Sequence, residues 1–435
     1  MKNIIKIIKN LFKKFKCDFY LAVMFPYPSG NGLHIGHFYN YALTDSYGNY
    51  LRYLGKKVFQ PFGYDSFGLP AENYARSISK SPGEVTKNNI KRFRKQMKDM
   101  NTKYEDLLIT SSKSYQKWTK WIFKLLYKND LIYKAKKDVH YCPSCKTVLA
   151  KEQVNNDKCK RCNTHVTVKN LDQWFFKITD YKERLLKNID NLDYPESTIK
   201  QQKEWINNLN DWCVSRQRKW GCPIPIKGEE DTLDTFVDSS FYFLRYLDPY
   251  NPFKLFRKNR FKQVDLYVGG VEHSCMHLIY ARFINMVLYD LGYTKTEEPF
   301  KKVFHQGVIK YKNEKMSKSK GNAINPSDYN PDELRFYLMF IGPYKQGGDW
   351  DDKNIRGIRR FINKFSKFLN KENGNDKIDI DSFRETIFSH TENFKFNKVV
   401  SSFMIFLNKN KNKNISKSDK KELLKLIRIY MPGFK

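Results

Sequence analysis

Apolar residues along this chain form short solid runs and longer stripes at helical spacing. The run from Cys17 to Phe25 is brief, apolar and rich in strand-forming residues, and it predicts a first core strand. A Gly/Pro loop follows, and then a helix opening at His34–His37. Val58 to Gln60 predicts a second strand, and two helices are expected near Gly83–Met100 and Ser114–Asn129. The pattern restarts with a strand at Val264–Gly270, a helix over Glu272–Leu291 and a strand near Lys302–Lys310. Beyond Pro331 it is helical to the end, with Lys409-Asn-Lys411-Asn-Lys413-Asn as a polar connector. Met1–Lys16 carries Ile4, Ile5, Ile8, Leu11, Phe12 and Phe15 near helical spacing, which predicts an N-terminal helix docked beside the first strand. A strand, a glycine loop and a helix in that order begin a doubly wound nucleotide site.

Charge adds a partner. The 435 residues hold 79 Lys+Arg against 46 Asp+Glu, a net +33, which favours a polyanion and salt-sensitive association. Residues 351–435 alone hold 20 basic against 10 acidic side chains. A general lysine bias, making solubilising surface, accounts equally well for any single lysine. No apolar run reaches membrane-spanning length and no small-residue cleavage site follows the N-terminal stretch, so a cytoplasmic protein is expected.

Cysteine usage adds a metal. Cys142-Pro-Ser-Cys145 and Cys159-Lys-Arg-Cys162 are two C-x-x-C pairs thirteen residues apart, the spacing of a zinc ribbon. Four thiolates leave no open position for water, so a structural Zn2+ is expected rather than a catalytic one. Paired disulfides are the alternative, against which a cytosolic compartment argues. Cys17, Cys213, Cys222 and Cys275 are scattered and read as free thiols.

The most specific chemistry lies in two motifs. His34-Ile35-Gly36-His37 closes the segment Phe25-Pro26-Tyr27-Pro28-Ser29-Gly30-Asn31-Gly32-Leu33, and Lys315-Met316-Ser317-Lys318-Ser319 lies far downstream. Two imidazoles three residues apart at a helix N-terminus can face phosphates, and the helix end adds its own positive pole. Two lysines on a Ser/Gly-rich loop can close over a leaving pyrophosphate. The bland reading is a turn with surface histidines and a solvated basic loop; the two motifs occurring together in this order oppose it.

With both motifs present, the chain resembles the class I aminoacyl-tRNA synthetases, and within them the leucyl family. Further blocks carry the likeness, from about Phe19 to Asp352. They are Asp65-Ser66-Phe67-Gly68, Trp212-Cys213-Val214-Ser215-Arg216-Gln217-Arg218, Thr235-Phe236-Val237-Asp238-Ser239 and Val268-Gly269-Gly270-Val271-Glu272-His273. The resemblance implies an α/β fold: a doubly wound, Rossmann-like parallel-sheet catalytic domain with a zinc-ribbon insert and a C-terminal helical bundle. On it, 1–132 and 251–350 would be the two catalytic halves and 133–172 the zinc insert. Residues 173–250 would connect them, and 351–435 would be a tRNA-binding bundle of the anticodon type. It implies a leucine–tRNA ligase using ATP with Mg2+ and leucine-accepting tRNA, acting as a monomer away from membranes. Methionyl or other class I enzymes and a non-catalytic RNA-binding paralogue are the alternatives.

By the same resemblance His34, His37, Lys315 and Lys318 would be catalytic. Phe25, Tyr27, Gly36, Gly270, Glu272, Met316 and Ser317 would bind ATP, Glu272 at the ribose hydroxyls. Asp65 would take the substrate ammonium. Phe236, Tyr242 and His277 would shape the side-chain pocket, with Ser239 and His273 beside it. Cys142, Cys145, Cys159 and Cys162 would hold zinc. Two departures stand out. Only Asn207 to Trp212 stand where the family carries a large hydrolytic insert, and no threonine-rich editing block occurs, so loss of editing is expected. The chain also ends at Lys435, where the family continues into further helices.

Overall fold

The computed structural model describes residues 15–28, 32–149, 153–316 and 324–435. The helix expected over Met1–Lys16 falls almost wholly outside them, as do Ser29–Asn31 and the stretch from Ser317 to Ala323 with Lys318.

The first strand, β1 (Phe19–Val23), leads through the glycine loop into helix α1 (Ile35–Tyr53). β2 (Val58–Phe59) pairs with β1 in parallel. β3 (Pro61–Tyr64) follows across Gln60 and pairs in parallel with β4 (Glu105–Ile109). Downstream, β5 (Leu266–Gly269) lies parallel to the other edge of β1, helix α2 (Met276–Asp290) follows it, and β6 (Val303–His305) lies parallel beyond β5. The sheet order β6-β5-β1-β2 therefore grows outward in both directions from β1. That makes β1/β5 a topological switch point, where helices leave the carboxyl ends of two neighbouring strands on opposite faces and a crevice opens.

Alternation along β1 shows why both faces are covered. Leu21 and Val23 enter one core with α1, and Tyr20 and Ala22 enter the other with α2. The first core continues without a break into the terminal helices, Asp352–Leu369, Ile380–Glu392, Phe396–Asn410 and Lys417–Tyr430. A buried Arg335–Asp45 ion pair at 2.8 Å ties α1 to the helix Pro331–Phe340. The bundle and the catalytic sheet are thus one packed body.

Three elements differ from expectation. The strand expected near Lys302–Lys310 is two. β6 ends at His305, and Val308–Tyr311 joins a separate sheet with Gly347–Asp349 and Glu314–Lys315. Gly307 turns the chain between them: a Cβ there would lie 2.1 Å from the Gln346 carbonyl carbon. The strand at Gly347–Asp349 also interrupts the stretch expected to be helical beyond Pro331. Finally, the helix expected from Glu272 starts as a single 3-10 turn, Val271–His273, and becomes α-helical only at Met276. Ser274 turns its hydroxyl back onto the Val271 carbonyl at 2.7 Å, and its own carbonyl accepts from Gln202 at 2.7 Å.

The cysteine-bearing insert is a long antiparallel hairpin, Ile132–Cys142 with Thr167–Phe176, whose tip carries all four paired cysteines.

Candidate active site

β1 delivers the chain to the crevice through Met24, Phe25, Pro26 and Tyr27. Gly269 lets β5 come this close, since a Cβ there would lie 2.0 Å from the Met24 sulfur. The Pro26 carbonyl accepts the Asp65 amide at 3.0 Å, so the lead-in and the Asp65 loop are joined by backbone. The turn before α1 is held by Gln96, whose amide oxygen accepts from the Leu33 N–H at 2.7 Å.

His34 is the N-cap of α1. Its Nδ1 accepts the Gly36 N–H at 3.0 Å, and the Nδ1 of His37 accepts the His34 N–H at 3.2 Å. The pair forms a capping box built from imidazoles instead of hydroxyl and carboxylate. Each Nδ1 is an acceptor here, so in its neutral form each ring carries its proton on Nε2. The rings lie with centroids 3.9 Å apart, and a Cβ on Gly36 would lie 2.9 Å from His34 Cε1. The helix cap thus fixes both rings through Nδ1, beside the positive pole of α1.

Across the crevice Asp65 is 2 % exposed and accepts a hydrogen bond from Thr235 Oγ1 at 2.9 Å. Burial, reinforced by the nearby Asp234 carboxylate, pushes its pKa from 3.8 to about 8, against the lowering effect of Thr235 and Thr110. Asp234 is matched by a buried Arg216 at 2.7 Å and by the Trp212 indole at 3.2 Å. Asp238 is also buried, and burial raises its pKa well above the ordinary value. One of its oxygens accepts from Thr119 at 2.6 Å and the other meets no protein donor. Of these three buried carboxylates, only Asp234 has a direct ionic partner.

Tyr242 is fully buried and stacks on Phe25 at 3.9 Å with the rings nearly parallel. Its hydroxyl reaches the Val23 carbonyl at 3.2 Å and also the Tyr267 hydroxyl, which in turn lies 2.7 Å from His277 Nε2. Burial, with His273 nearby, lowers the His277 pKa to about 3, so the ring stays neutral. Phe236 lies edge-on to Tyr280 at 5.8 Å. Ser239 donates back to the Phe236 carbonyl at 3.3 Å, so its hydroxyl is engaged within its own short helix. His273 lies with its ring 6.0 Å from that of His277.

At the end of β5 the Glu272 carboxylate folds over Gly270, where a Cβ would lie 2.2 Å from Glu272 Oε2. Tyr27, in the lead-in, lies within electrostatic reach of Asp65, Asp234, Glu272 and Arg161, and burial raises its pKa. Lys315 lies on the strand that enters the lysine loop, and the Met316 side chain is buried in the core shared with α1. Ser317 and Lys318 lie outside the described residues.

The structure links Phe25 to Tyr242 and His277 through ring contacts and Tyr27 to Asp65 and Glu272 electrostatically, while His34 and His37 cap the helix that follows the same lead-in segment. Sequence reading missed Asp234, Thr235, Asp238, Tyr267 and His305. His305 reaches the Gly269 carbonyl at 2.9 Å and the Ser274 hydroxyl at 3.3 Å, bracing the loop that carries Glu272. The one signal available for it was a histidine inside the run Lys302–Lys310 expected as a strand.

The sulfur atoms of Cys142, Cys145, Cys159 and Cys162 all lie within 4.8 Å of one another, close enough for a single ion. Burial raises the Cys145 thiol. Cys162 is also raised by burial, but hydrogen bonds with Thr164 and its cysteine neighbours outweigh that and bring it down to about 6. The donor set fits a closed tetrahedral site. Leu69 packs into this cluster, directly after the Asp65–Gly68 loop, and Arg218 at the same junction donates to Thr147 at 3.1 Å.

Comparison with known proteins gives a consistent picture. A family model described as tRNA synthetases class I (I, L, M and V) matches residues 2–230, and one described as tRNA synthetases class I (M) matches residues 145–375. A leucine–tRNA ligase of Clostridium kluyveri is 30% identical over 694 positions, covering 97% of this chain and 86% of that protein. One from Caldanaerobacter subterraneus subsp. tengcongensis is 31% identical over 614 positions, covering 83% and 74%. The first alignment is far longer than the chain's 435 residues, so more than two hundred of its positions face no residue here. Among solved structures, the Agrobacterium radiobacter K84 agnB2 LeuRS–tRNA–LeuAMS complex superposes with a TM-score of 0.87 at 24% identity. It covers 99% of this chain and 87% of that one. A Mycobacterium tuberculosis methionyl-tRNA synthetase bound to methionyl-adenylate gives 0.74 at 20% identity, covering 95% and 92%.

Proposed function

The chain belongs to the class I aminoacyl-tRNA synthetases, within their leucine–tRNA ligase family, and from that premise we propose how its crevice works. It is an ATP-dependent leucine–tRNA ligase, a reading carried by the likeness to leucine–tRNA ligases along nearly the whole chain. In the reaction a leucine carboxylate oxygen attacks the α-phosphorus of ATP and pyrophosphate leaves. A ribose hydroxyl of the tRNA end then attacks the acyl carbon, and AMP leaves.

Asp65 holds the leucine ammonium on the floor of the crevice. Phe236, Tyr242 and neutral His277 form an uncharged wall for the branched side chain, with Ser239 and His273 beside it. Glu272, folded over Gly270, takes the ATP ribose hydroxyls, and Phe25, Tyr27, Gly36, Met316 and Ser317 bind the nucleotide. The Nε2–H groups of His34 and His37 meet the phosphates, whose charge grows in the transition state. Mg2+ arrives with ATP as its counterion, and Lys315 and Lys318 close over the leaving pyrophosphate.

Cys142, Cys145, Cys159 and Cys162 hold a structural zinc. Cross-linked through a bound ion, these four thiolates would staple the hairpin tip, which packs on Leu69, and so would steady the loop carrying Asp65. Elemental analysis of gently purified protein should find one zinc per chain. Stripping it should make the hairpin tip sensitive to protease before the sheet unfolds. Metal-free protein, or a disulfide among these four, contradicts the assignment.

The chain charges tRNA without hydrolytic editing. The support is the turn Asn207–Asp211, which passes directly from the helix Glu196–Asn207 to Trp212 where the family carries its insert. A hydrophobic pocket separates similar aliphatic side chains by only about 1–3 kcal/mol per methylene, so some mischarging follows when leucine is scarce. Leucine-accepting tRNA preloaded with isoleucine or norvaline should lose its amino acid at the spontaneous rate in the presence of this protein. Enzyme-dependent deacylation means that an editing site exists.

A further inference from the structure

The turn that carries Glu272 has no anchor in the core. Val271–His273 is a single 3-10 turn between β5 and α2, and none of its three side chains is buried. A carboxylate that binds a ligand must nevertheless be held to within about 0.5 Å of its working position.

One buried imidazole spans this turn. His305 ends β6 directly opposite Gly269, the last residue of β5. Its Nδ1 lies 2.9 Å from the Gly269 carbonyl and its Nε2 3.3 Å from the Ser274 hydroxyl. Those two partners stand one on each side of the turn. A carbonyl only accepts, so Nδ1 carries the ring proton. Burial lowers the His305 pKa, against the Gly269 bond and the Glu272 charge, and the neutral ring leaves Nε2 as an acceptor. Facing that acceptor is the same Ser274 hydroxyl that bonds the Val271 carbonyl at 2.7 Å.

Both partners are fixed from elsewhere. Gly269 belongs to the β5 ladder. The Ser274 carbonyl accepts from Gln202 at 2.7 Å, and the Gln202 amide oxygen accepts from Arg282 at 3.0 Å. The imidazole therefore closes the turn between two rigid points. A buried histidine with two hydrogen bonds is often no more than a satisfied core residue. This one differs in that both bonds go to the boundaries of one exposed turn, and the carboxylate on that turn lies within electrostatic reach of the ring.

We propose that His305 is a positioning residue for the nucleotide: by bridging Gly269 and Ser274 it places the Glu272 carboxylate, and so sets the affinity for ATP and the selection of its ribose hydroxyls. The proposal rests on the reading of Glu272 as the ribose-binding group, and it adds what holds that group in place. His305 touches no substrate in this account.

The test is leucine-dependent pyrophosphate exchange with ATP, 2′-deoxy-ATP and 3′-deoxy-ATP. It compares wild type with His305→Ala, His305→Asn, His305→Gln and Glu272→Gln. Wild type should prefer ATP to at least one analogue by roughly tenfold or more, the scale of a hydrogen bond to a charged group. Glu272→Gln should lose most of that preference. His305→Ala should lose it too and raise the KM for ATP about tenfold, while the KM for leucine stays within about twofold and so reports a folded pocket. Asparagine can restore the bond to Gly269 and glutamine the one to Ser274, so each should recover part of the ATP affinity. Equal rises in the KM for ATP and for leucine, or a preference that survives in His305→Ala while Glu272→Gln loses it, overturn the proposal and leave the ribose reading standing. Wild type that uses all three nucleotides equally, or Glu272→Gln with the wild-type preference, refutes the ribose reading and the proposal with it.

Discussion

Asp65→Asn should lose leucine affinity by about 3–5 kcal/mol, a hundredfold or more, while making the unliganded protein more stable in alkali. The two effects share one cause. Asp65 is buried, and that burial, with Asp234 close by, holds its pKa near 8. In the folded protein the carboxyl keeps its proton between the ordinary 3.8 and about 8, whereas the unfolded chain releases it. A raised acid pKa means that the stability it contributes is complete below 3.8 and is lost as pH rises through that window. Asparagine has no proton to release, so the variant should not share this decline.

Ligand binding reverses the preference, because an ammonium beside Asp65 favours the carboxylate. Leucine binding below pH 8 should therefore expel a proton, and apparent affinity should rise from pH 6 to 8 and then level off. Calorimetric titration in two buffers of different ionisation heat measures that proton directly. Affinity that is flat across this range would falsify the assignment of Asp65 to the ammonium.

His37→Ala should slow leucyl-adenylate formation by tenfold to a thousandfold, the cost of removing one positioned donor, about 1.4–4 kcal/mol. His34 needs a different control because it also caps α1. His34→Ala should slow the chemistry and cost about 1 kcal/mol of stability from the lost cap. His34→Asn restores a capping acceptor without the Nε2 donor. It should keep the wild-type melting temperature and still be slow. If His34→Asn were as fast as wild type, the ring would be serving the helix and not the phosphates.

The core of the fold was legible because its signals are local. β1, α1, β5 and the two helices around Pro82–Asp99 and Lys113–Lys128 each announce themselves by a run or a stripe within their own residues. The division of Lys302–Lys310 into two strands was not legible. Gly307 is the one residue within Val303–Val308 that disfavours a strand, and the break itself comes from its meeting Gln346 and Gly347 nearly forty residues later. The candidate site divides the same way. His34, His37 and the cysteine pairs stand in short motifs whose spacing has a mechanism. Asp234, Asp238 and Tyr267 take their character from burial and from partners such as Arg216, Thr119 and His277, contributed by other elements. Even for the histidines, spacing suggested two rings facing phosphate but not that the helix end sets their tautomers.

Amino-acid-dependent ATP–pyrophosphate exchange, run with each of the twenty amino acids, tests the central claim most directly. Leucine should support exchange with a kcat/KM at least roughly tenfold above isoleucine or methionine, the selectivity that a hydrophobic pocket of this kind can reach unaided. Exchange driven by methionine in preference to leucine, or no exchange with any amino acid, would contradict it.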